Sequence, residues 1–322
     1  MGKRMDDKFE LRGHMIPNRI CVPAMHMACA NPDGTASARN IAHYRKLAAG
    51  GAGLIIQEAT CVAPDGILRP KQLGCWSDAQ IPGLRQIAQA VHDEGGVIVA
   101  QIHHAGLIGY CKPAAGPSVY PAAAGGEATR ALTAQEIDAL IEAFAAGAER
   151  IYRAGYDGVE LHGCHSYLIS QFFNRRVNRR TDRYADAMQF VKPILERIRA
   201  RVPEQFLLGI RLGAYEPELA DGIAHARALD AAGVDFLDIS YGFDAEAQPE
   251  CPPDWPYADV IWAAGEITKQ VSVPVFAVYG IRTAQAAADV LARTDVDMVD
   301  VGRAHLANAA WASEALAWCA AH

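Results

Sequence analysis

Residues 159–184, VELHGCHSYLISQFFNRRVNRRTDRY, hold the densest set of chemically capable side chains in this chain. His162, His165 and Tyr167 follow directly on an apolar run that reads as a strand. Two imidazoles three residues apart, with a phenol two residues further on, put hydrogen-bond donors and a proton source into one loop. Such a set can hold a substrate oxygen and deliver a proton close by. Arg175, Arg176, Arg179, Arg180 and Asp182 come next, and a local basic cluster of this kind usually forms a solvated face or internal salt bridges. Cys164 stands inside HGCH, where packing at the strand end is its expected role.

Short runs rich in Val, Ile and Leu recur, each followed by a helical pattern. Strands are predicted at 19–24, 53–59, 97–102, 157–162, 206–212, 234–240, 273–278 and 297–301. They hardly alternate, as expected of parallel strands buried on both faces. Helices are predicted near 37–49, 80–94, 134–154, 184–201, 223–232, 257–270, 283–293 and 309–319. Thr133 and Glu136 have the spacing of a capping box, and Ala154-Gly155 and Ala232-Gly233 stand where helices should stop. Eight strand–helix units point to an α/β fold, a closed (β/α)8 TIM barrel forming a single domain over 1–322 with long active-face loops. An open doubly wound sheet would want a G-x-G-x-x-G turn after its first strand, and residues 20–30 offer none. The long stretches 105–132 and 241–256, the latter including Gln248 to Asp254, are expected as lids or pocket walls.

In such a barrel the chemistry sits at the C-terminal strand ends. Pro23, Ala24, Met25 and His26 stand there after the first strand, and Glu58, Ala59 and Thr60 after the second. Gln101, His103 and His104 follow on the third, His162 and His165 on the fourth, Arg211 on the fifth, and Ser240 and Tyr241 on the sixth. Gly280 follows the seventh, and Gly302 and Arg303 the eighth. A buried Arg211 and Gln101 need partners, either a carboxylate or an electron-rich planar ligand. Gly280-Ile281 and Gly302-Arg303 occupy the two loops that form the usual barrel phosphate site.

Composition narrows the function classes. The chain has 322 residues, 51% hydrophobic and 21% charged, which describes a folded protein. A net charge of −7 argues against a general nucleic-acid binder. The segment MGKRMDDKFE has no apolar core of a secretory signal, and no apolar run reaches the ~18 residues of a membrane span. The eight cysteines show no C-x-x-C pair and no zinc or iron–sulfur spacing, so no metal site is expected and a reducing cytoplasm is.

Taken together these residues resemble the Old Yellow Enzyme family of FMN-dependent oxidoreductases. The likeness runs through LRGHMIPNRICVPAM, the EAT at 58–60, QIHHAG at 101–106, RALTAQEI at 130–137, HGCHSYL at 162–168, NRRTDRY at 178–184 and VGRAHLAN at 301–308. It is strongest with the shorter single-barrel bacterial type. The resemblance implies a non-covalent FMN reduced by NADPH or NADH, a small-molecule substrate, and a homo-oligomer, dimer or tetramer. Pro23, Ala24, Met25, His26 and Ala59 would line the flavin, and Gln101 would bond its pyrimidine edge. Arg211 would stabilise the reduced form, while Gly280, Gly302 and Arg303 would hold the phosphate. His162 and His165 would polarise the carbonyl of an α,β-unsaturated compound, and Tyr167 would protonate the α-carbon as the flavin N5 hydride reaches the β-carbon.

Several positions depart from the family pattern. His26 replaces a usual Cys or Thr, Ala28 replaces a frequent aromatic wall residue, and Ala185-Asp186 replaces a glycine pair. Tyr279-Gly280 stands where two glycines are common, and Trp318 to His322 lacks the arginine that some members lend to a neighbour's site. These changes leave open an FMN-dependent dehydrogenase, demethylase or other redox tailoring activity. A flavin-free lyase, isomerase or binding protein is the reading from a different class.

Overall fold

The computed structural model describes residues 2–121, 129–243 and 251–322. Eight parallel strands close into a barrel in which neighbours in space are neighbours in sequence. They are β1 (Ile20–Val22), β2 (Leu54–Cys61), β3 (Val97–His103), β4 (Gly158–Gly163), β5 (Leu207–Gly213), β6 (Phe236–Ser240), β7 (Val275–Val278) and β8 (Met298–Asp300). Apart from Val97 at its rim, every one of these strand residues is buried, which is why their sequences run apolar instead of alternating. The long helices are α1 (Ala38–Ala49), α2 (Ile81–His92), α3 (Ala134–Arg153), α4 (Met188–Arg199), α5 (Leu219–Ala231), α6 (Asp259–Thr268), α7 (Ala284–Thr294) and α8 (Trp311–Ala321). Closure of the sheet rules out the doubly wound alternative.

Two helix starts differ from the periodicity. Asp182 accepts from the Tyr184 N–H at 3.1 Å and Asp186 from the Met188 N–H at 2.9 Å, so the segment breaks into a single turn and then α4. Asp186 belongs to the pair that departs from the family pattern, and its carboxylate does this capping. α5 begins a turn early because Glu218 and Asp221 cap it reciprocally. The box at Thr133 forms as expected, with Glu136 N–H donating to Thr133 Oγ1 at 3.2 Å and Thr133 N–H donating to Glu136 at 2.8 Å. Gly155 and Gly233 take φ +90° and +85° just past α3 and α5, a left-handed conformation that glycine adopts at no steric cost.

Inside the barrel the side chains change character along the axis. A hairpin, Phe9–Leu11 paired with His14–Ile16, plugs the N-terminal end with Leu11 and Ile16. Above it Leu54, Val99, Leu207, Phe236, Phe276 and Met298 form an apolar layer, with Phe236 and Phe276 stacked at 4.8 Å. Two residues further along the strands, on the same inward face, come Gln101, Glu160, Asp238 and Asp300. Arg211, His162 and Ser240 follow toward the mouth. The long stretch after β3 contributes a short pairing of Ala115–Gly116 with Arg130–Ala131. Residues 122–128 of that stretch, and 244–250 of the one after β6, lie outside the described residues.

Thr133→Ala removes the cap of α3 at an exposed position. It should cost about 1 kcal/mol in urea unfolding without changing the slope. Unchanged stability would show that the α3 entry is held by packing alone.

Candidate active site

Arg211 is the charged centre of the barrel mouth. Its Nε lies 2.9 Å from Asp238 Oδ2 on the neighbouring strand, and both side chains are buried. Glu160 and Asp300 share the same interior, and Gln101 Nε2 donates to Glu160 Oε1 at 2.7 Å. One cation therefore faces three carboxyl groups. Burial works against the Arg211 charge, but Asp238 and the other acids outweigh it and hold the guanidinium protonated. Burial raises Asp238, and Arg211 opposes that rise. Asp300 and Glu160 are pushed well up by burial and by the Asp238 charge. The arrangement is one ion pair, Arg211 with Asp238, beside two carboxyls whose burial favours the protonated form.

The fourth strand delivers the predicted trio together. His162 is the penultimate residue of β4, and its ring stacks on Tyr167 at 3.9 Å between centroids. His165 lies 5.3 Å from His162, ring to ring, and one of its nitrogens is 2.7 Å from Ser240 Oγ. His165 and Ser166 take φ +52° and +65°, which folds the chain back over the strand end. For non-glycine residues this left-handed geometry costs energy, and the surrounding bonds retain it. His165 N–H donates to Tyr241 O at 3.0 Å and Ser166 Oγ to Phe243 O at 2.7 Å. Burial, then the Arg211 charge, lowers His165 to about 3, and burial puts His162 well below its ordinary value. Both imidazoles are neutral donors at pH 7. Burial raises the Tyr167 phenol to about 12, so it keeps its proton.

His103 packs edge-on against Tyr167 at 5.0 Å and is held by the Gln72 amide, which also donates to Ala59 O at 2.9 Å. His26 lies 3.8 Å from the buried Glu58, and among the described residues neither of its ring nitrogens has a hydrogen-bond partner. Burial, then Arg69, lowers His26 to about 4. Burial raises Glu58 to about 7 against bonds from Met27 N–H, Asn40 and Tyr44. Glu216 ties the β5 loop to its neighbours, accepting from Ser170 Oγ, from Asn174 at 3.1 Å and from Phe243 N–H at 3.2 Å.

Pro23, Ala24, Met25, Arg211, Gly280, Gly302 and Arg303 border one cleft of about 270 Å3, together with His165, Ser240 and Asp300. Gly280 has φ +77°, a conformation that favours glycine, and a Cβ on Gly302 would lie 3.0 Å from Met25 Sδ, a tight contact that the flexible methionine would have to relieve. Tyr279 stands at φ +108°, an unusual conformation for a bulky residue, with Arg303 5.8 Å from its ring centre. A larger depression of about 580 Å3 lies beside Tyr257, Asp289 and Trp318, away from the strand ends. The strand-end cleft is the candidate site because the buried titratable groups converge there. Ala59, Gln101, His26, His162 and Tyr167 do not border that cleft; of the β4 trio only His165 does. The basic stretch forms salt bridges: Arg175 with Glu218 and Asp221, Arg180 with Asp182, and Arg183 with Asp138. Asp238, Asp300, Glu160 and Glu216 were absent from the sequence-based set. The available signal was a carboxylate inside an otherwise apolar parallel strand, as in FLDIS and DMVDV.

A barrel of this topology with a buried arginine, two neutral histidines and a phenol at its mouth, and glycine turns in loops seven and eight, has the architecture of FMN-dependent NAD(P)H oxidoreductases. The model of the NADH:flavin oxidoreductase / NADH oxidase family matches residues 9–317, and the chain belongs to that family, the Old Yellow Enzyme group. It is 37% identical to the NADH oxidase of Thermoanaerobacter brockii over 94% of this chain, and spans only 49% of that protein's length. It is 32% identical to the NADPH dehydrogenase of Halalkalibacterium halodurans, covering 98% of this chain and 94% of that one. The old yellow enzyme homologue of Zymomonas mobilis superposes with a TM-score of 0.79 at 27% identity, over 95% of this chain and 90% of the other. Among the described residues no helix is long and apolar enough to cross a membrane.

Glu216 gives a pH test. Burial raises it to about 8, above the ordinary carboxyl range. Between those values the folded state holds a proton that the unfolded state has lost, so stability falls as pH rises from about 5 to 8. Glu216→Gln should therefore raise the melting temperature more at pH 8 than at pH 5. An equal shift at both would show that Glu216 does not carry this dependence.

Proposed function

We propose that the chain is an FMN-dependent ene-reductase that uses NADPH or NADH to reduce an activated C=C bond of an α,β-unsaturated carbonyl compound. The observation that carries this reading is the trio of two neutral imidazoles and a protonated phenol gathered at the end of β4, with His165 bordering the strand-end cleft. FMN, when bound, supplies the hydride that the chain's own side chains cannot. The residues present fit such a group: Arg211 offers a fixed cation to an electron-rich ring, with Gln101 one strand layer below. Gly280, Gly302 and the exposed Arg303 offer backbone N–H groups and a positive charge to a phosphate. Pro23, Ala24, Met25 and Ala59 supply small, mostly apolar surface for a planar ring.

His162 and His165 donate to the substrate carbonyl and favour the enolate charge that appears only in the transition state. Their neutrality matters, since an imidazolium there would face Arg211. Tyr167 donates its phenolic proton to the α-carbon. His26, in the loop after β1, adds a neutral donor without a hydrogen-bond partner among the described residues. Neutrality at pH 7 removes the part of its expected effect that depended on protonation. A donor directed at the flavin edge still favours the reduced form. One barrel with one mouth supports a single domain over 1–322, and eight free thiols support a reducing, cytoplasmic setting. A homo-oligomer belongs to the same proposal and rests on the family resemblance alone.

The purified protein should be yellow, bleach with anaerobic NADPH and recover colour with 2-cyclohexenone. Bleaching without recovery would favour the dehydrogenase or demethylase reading, and protein that stays colourless after added FMN would overturn the flavin assignment. His162→Ala should slow the enone step by ~10²–10³ and Tyr167→Phe by ~10²–10⁴, both with NADPH bleaching retained. Equal loss in the two half-reactions would remove these residues from the enone step. His26→Ala should lower the flavin midpoint potential measured by dye equilibration, and an unchanged potential would end that role.

A further inference from the structure

Cys164 takes no part in the reaction proposed above, yet it sits between the two histidines that do. Among the described residues, His162, Cys164 and His165 are a trio whose donor atoms all lie within 4.8 Å of one another. Cys164 Sγ is 3.7 Å from His162 Nδ1. Tetrahedral zinc, with Zn–N near ~2.0 Å and Zn–S near ~2.3 Å, sets bonded N and S about 3.5 Å apart. The existing separation is therefore close to a coordination edge. The sequence implied no metal site, because its cysteines show no C-x-x-C pair and no zinc or iron–sulfur spacing. The left-handed turn at His165 and Ser166 makes the difference, since it brings His165 back over the strand end.

We propose that His162, Cys164 and His165 form a capture site for a thiophilic divalent cation, Zn2+ being the type, and that its occupation inhibits the enzyme. Two imidazoles and a thiol are ligand types that zinc takes. Cys164 would lose its proton as the Zn–S bond forms, releasing one H+ per ion bound. Ser240 Oγ, 2.7 Å from a His165 ring nitrogen, is placed to orient that imidazole while the other nitrogen ligates. Three protein ligands leave a fourth position open to water, at the place where the substrate oxygen would lie. The Arg211 charge does not forbid a second cation nearby, because Asp238 pairs with it at 2.9 Å. A bound ion withdraws His165 from the substrate oxygen and fills the space between the donors. The inhibitory part of this proposal rests on the ene-reductase reading, whereas the binding part does not.

The test is Zn2+ titration of the purified flavin-loaded protein by calorimetry, with enone-dependent NADPH oxidation followed in parallel. One Zn2+ per chain should bind, with about one proton released as judged in buffers of different ionisation enthalpy. Turnover should fall as the site fills. Cys164→Ser and Cys164→Ala should keep turnover without metal and require at least ~10-fold more Zn2+ for half-inhibition. Absence of one-to-one binding, or equal inhibition of wild type and both variants, would overturn the proposal. Binding without inhibition would overturn the inhibitory role. Protein that binds Zn2+ but holds no flavin would instead count against the redox function and leave the metal site standing.

Discussion

The Arg211–Asp238 ion pair is the constraint on which the mouth of this barrel depends. A guanidinium in a protein interior loses several kcal/mol of hydration, and a single partner at 2.9 Å offsets that loss only while it stays ionised. The pair therefore adds little to stability. It dictates instead what may surround it. Glu160 and Asp300 share this interior, where burial favours their protonated forms, and Gln101 supplies a donor to Glu160. Below this layer stand Phe236, Phe276 and Met298, and the barrel is sealed by Leu11 and Ile16 of the hairpin. The polar layer is thus confined to the end where a ligand can complete it.

Desolvation acts on the buried acids and bases around the site in opposite directions. It lowers His162, His165, His103 and His26, and it raises Tyr167, Glu58 and Glu216. The outcome is a wall of neutral donors facing one fixed cation. Such groups can stabilise charge that develops on a substrate without competing for it in the ground state. The same wall also gathers two imidazoles and a thiol within 4.8 Å, the ligand types that zinc takes.

Position depends on bonds that reach across loops. His103 is held by Gln72 from the loop after β2, and Glu216 joins the β5 loop to the 168–173 helix and to Phe243. His165 and Ser166 keep a left-handed backbone because Tyr241 O and Phe243 O, both after β6, accept from them. The trio on β4 is consequently a property of four loops together.

Much of this was legible in the residues alone. Each barrel strand announced itself as a buried apolar run, Thr133 and Glu136 marked the start of α3, and Gly155 and Gly233 marked the ends of α3 and α5. His162, His165 and Tyr167, the glycines of loops seven and eight, and Arg211 were all visible as polar or small residues at strand ends. These signals are local: periodicity, capping and turn chemistry depend on residues a few positions apart. The tertiary structure decided the rest. That Asp238 and not Glu160 pairs with Arg211, that Gln72 holds His103, and that Cys164 closes a trio with two histidines all depend on which strands and loops meet when the sheet closes. Which of the buried acids and bases keep their protons depends on the same closure, because desolvation belongs to the packed barrel and to no stretch of the chain by itself.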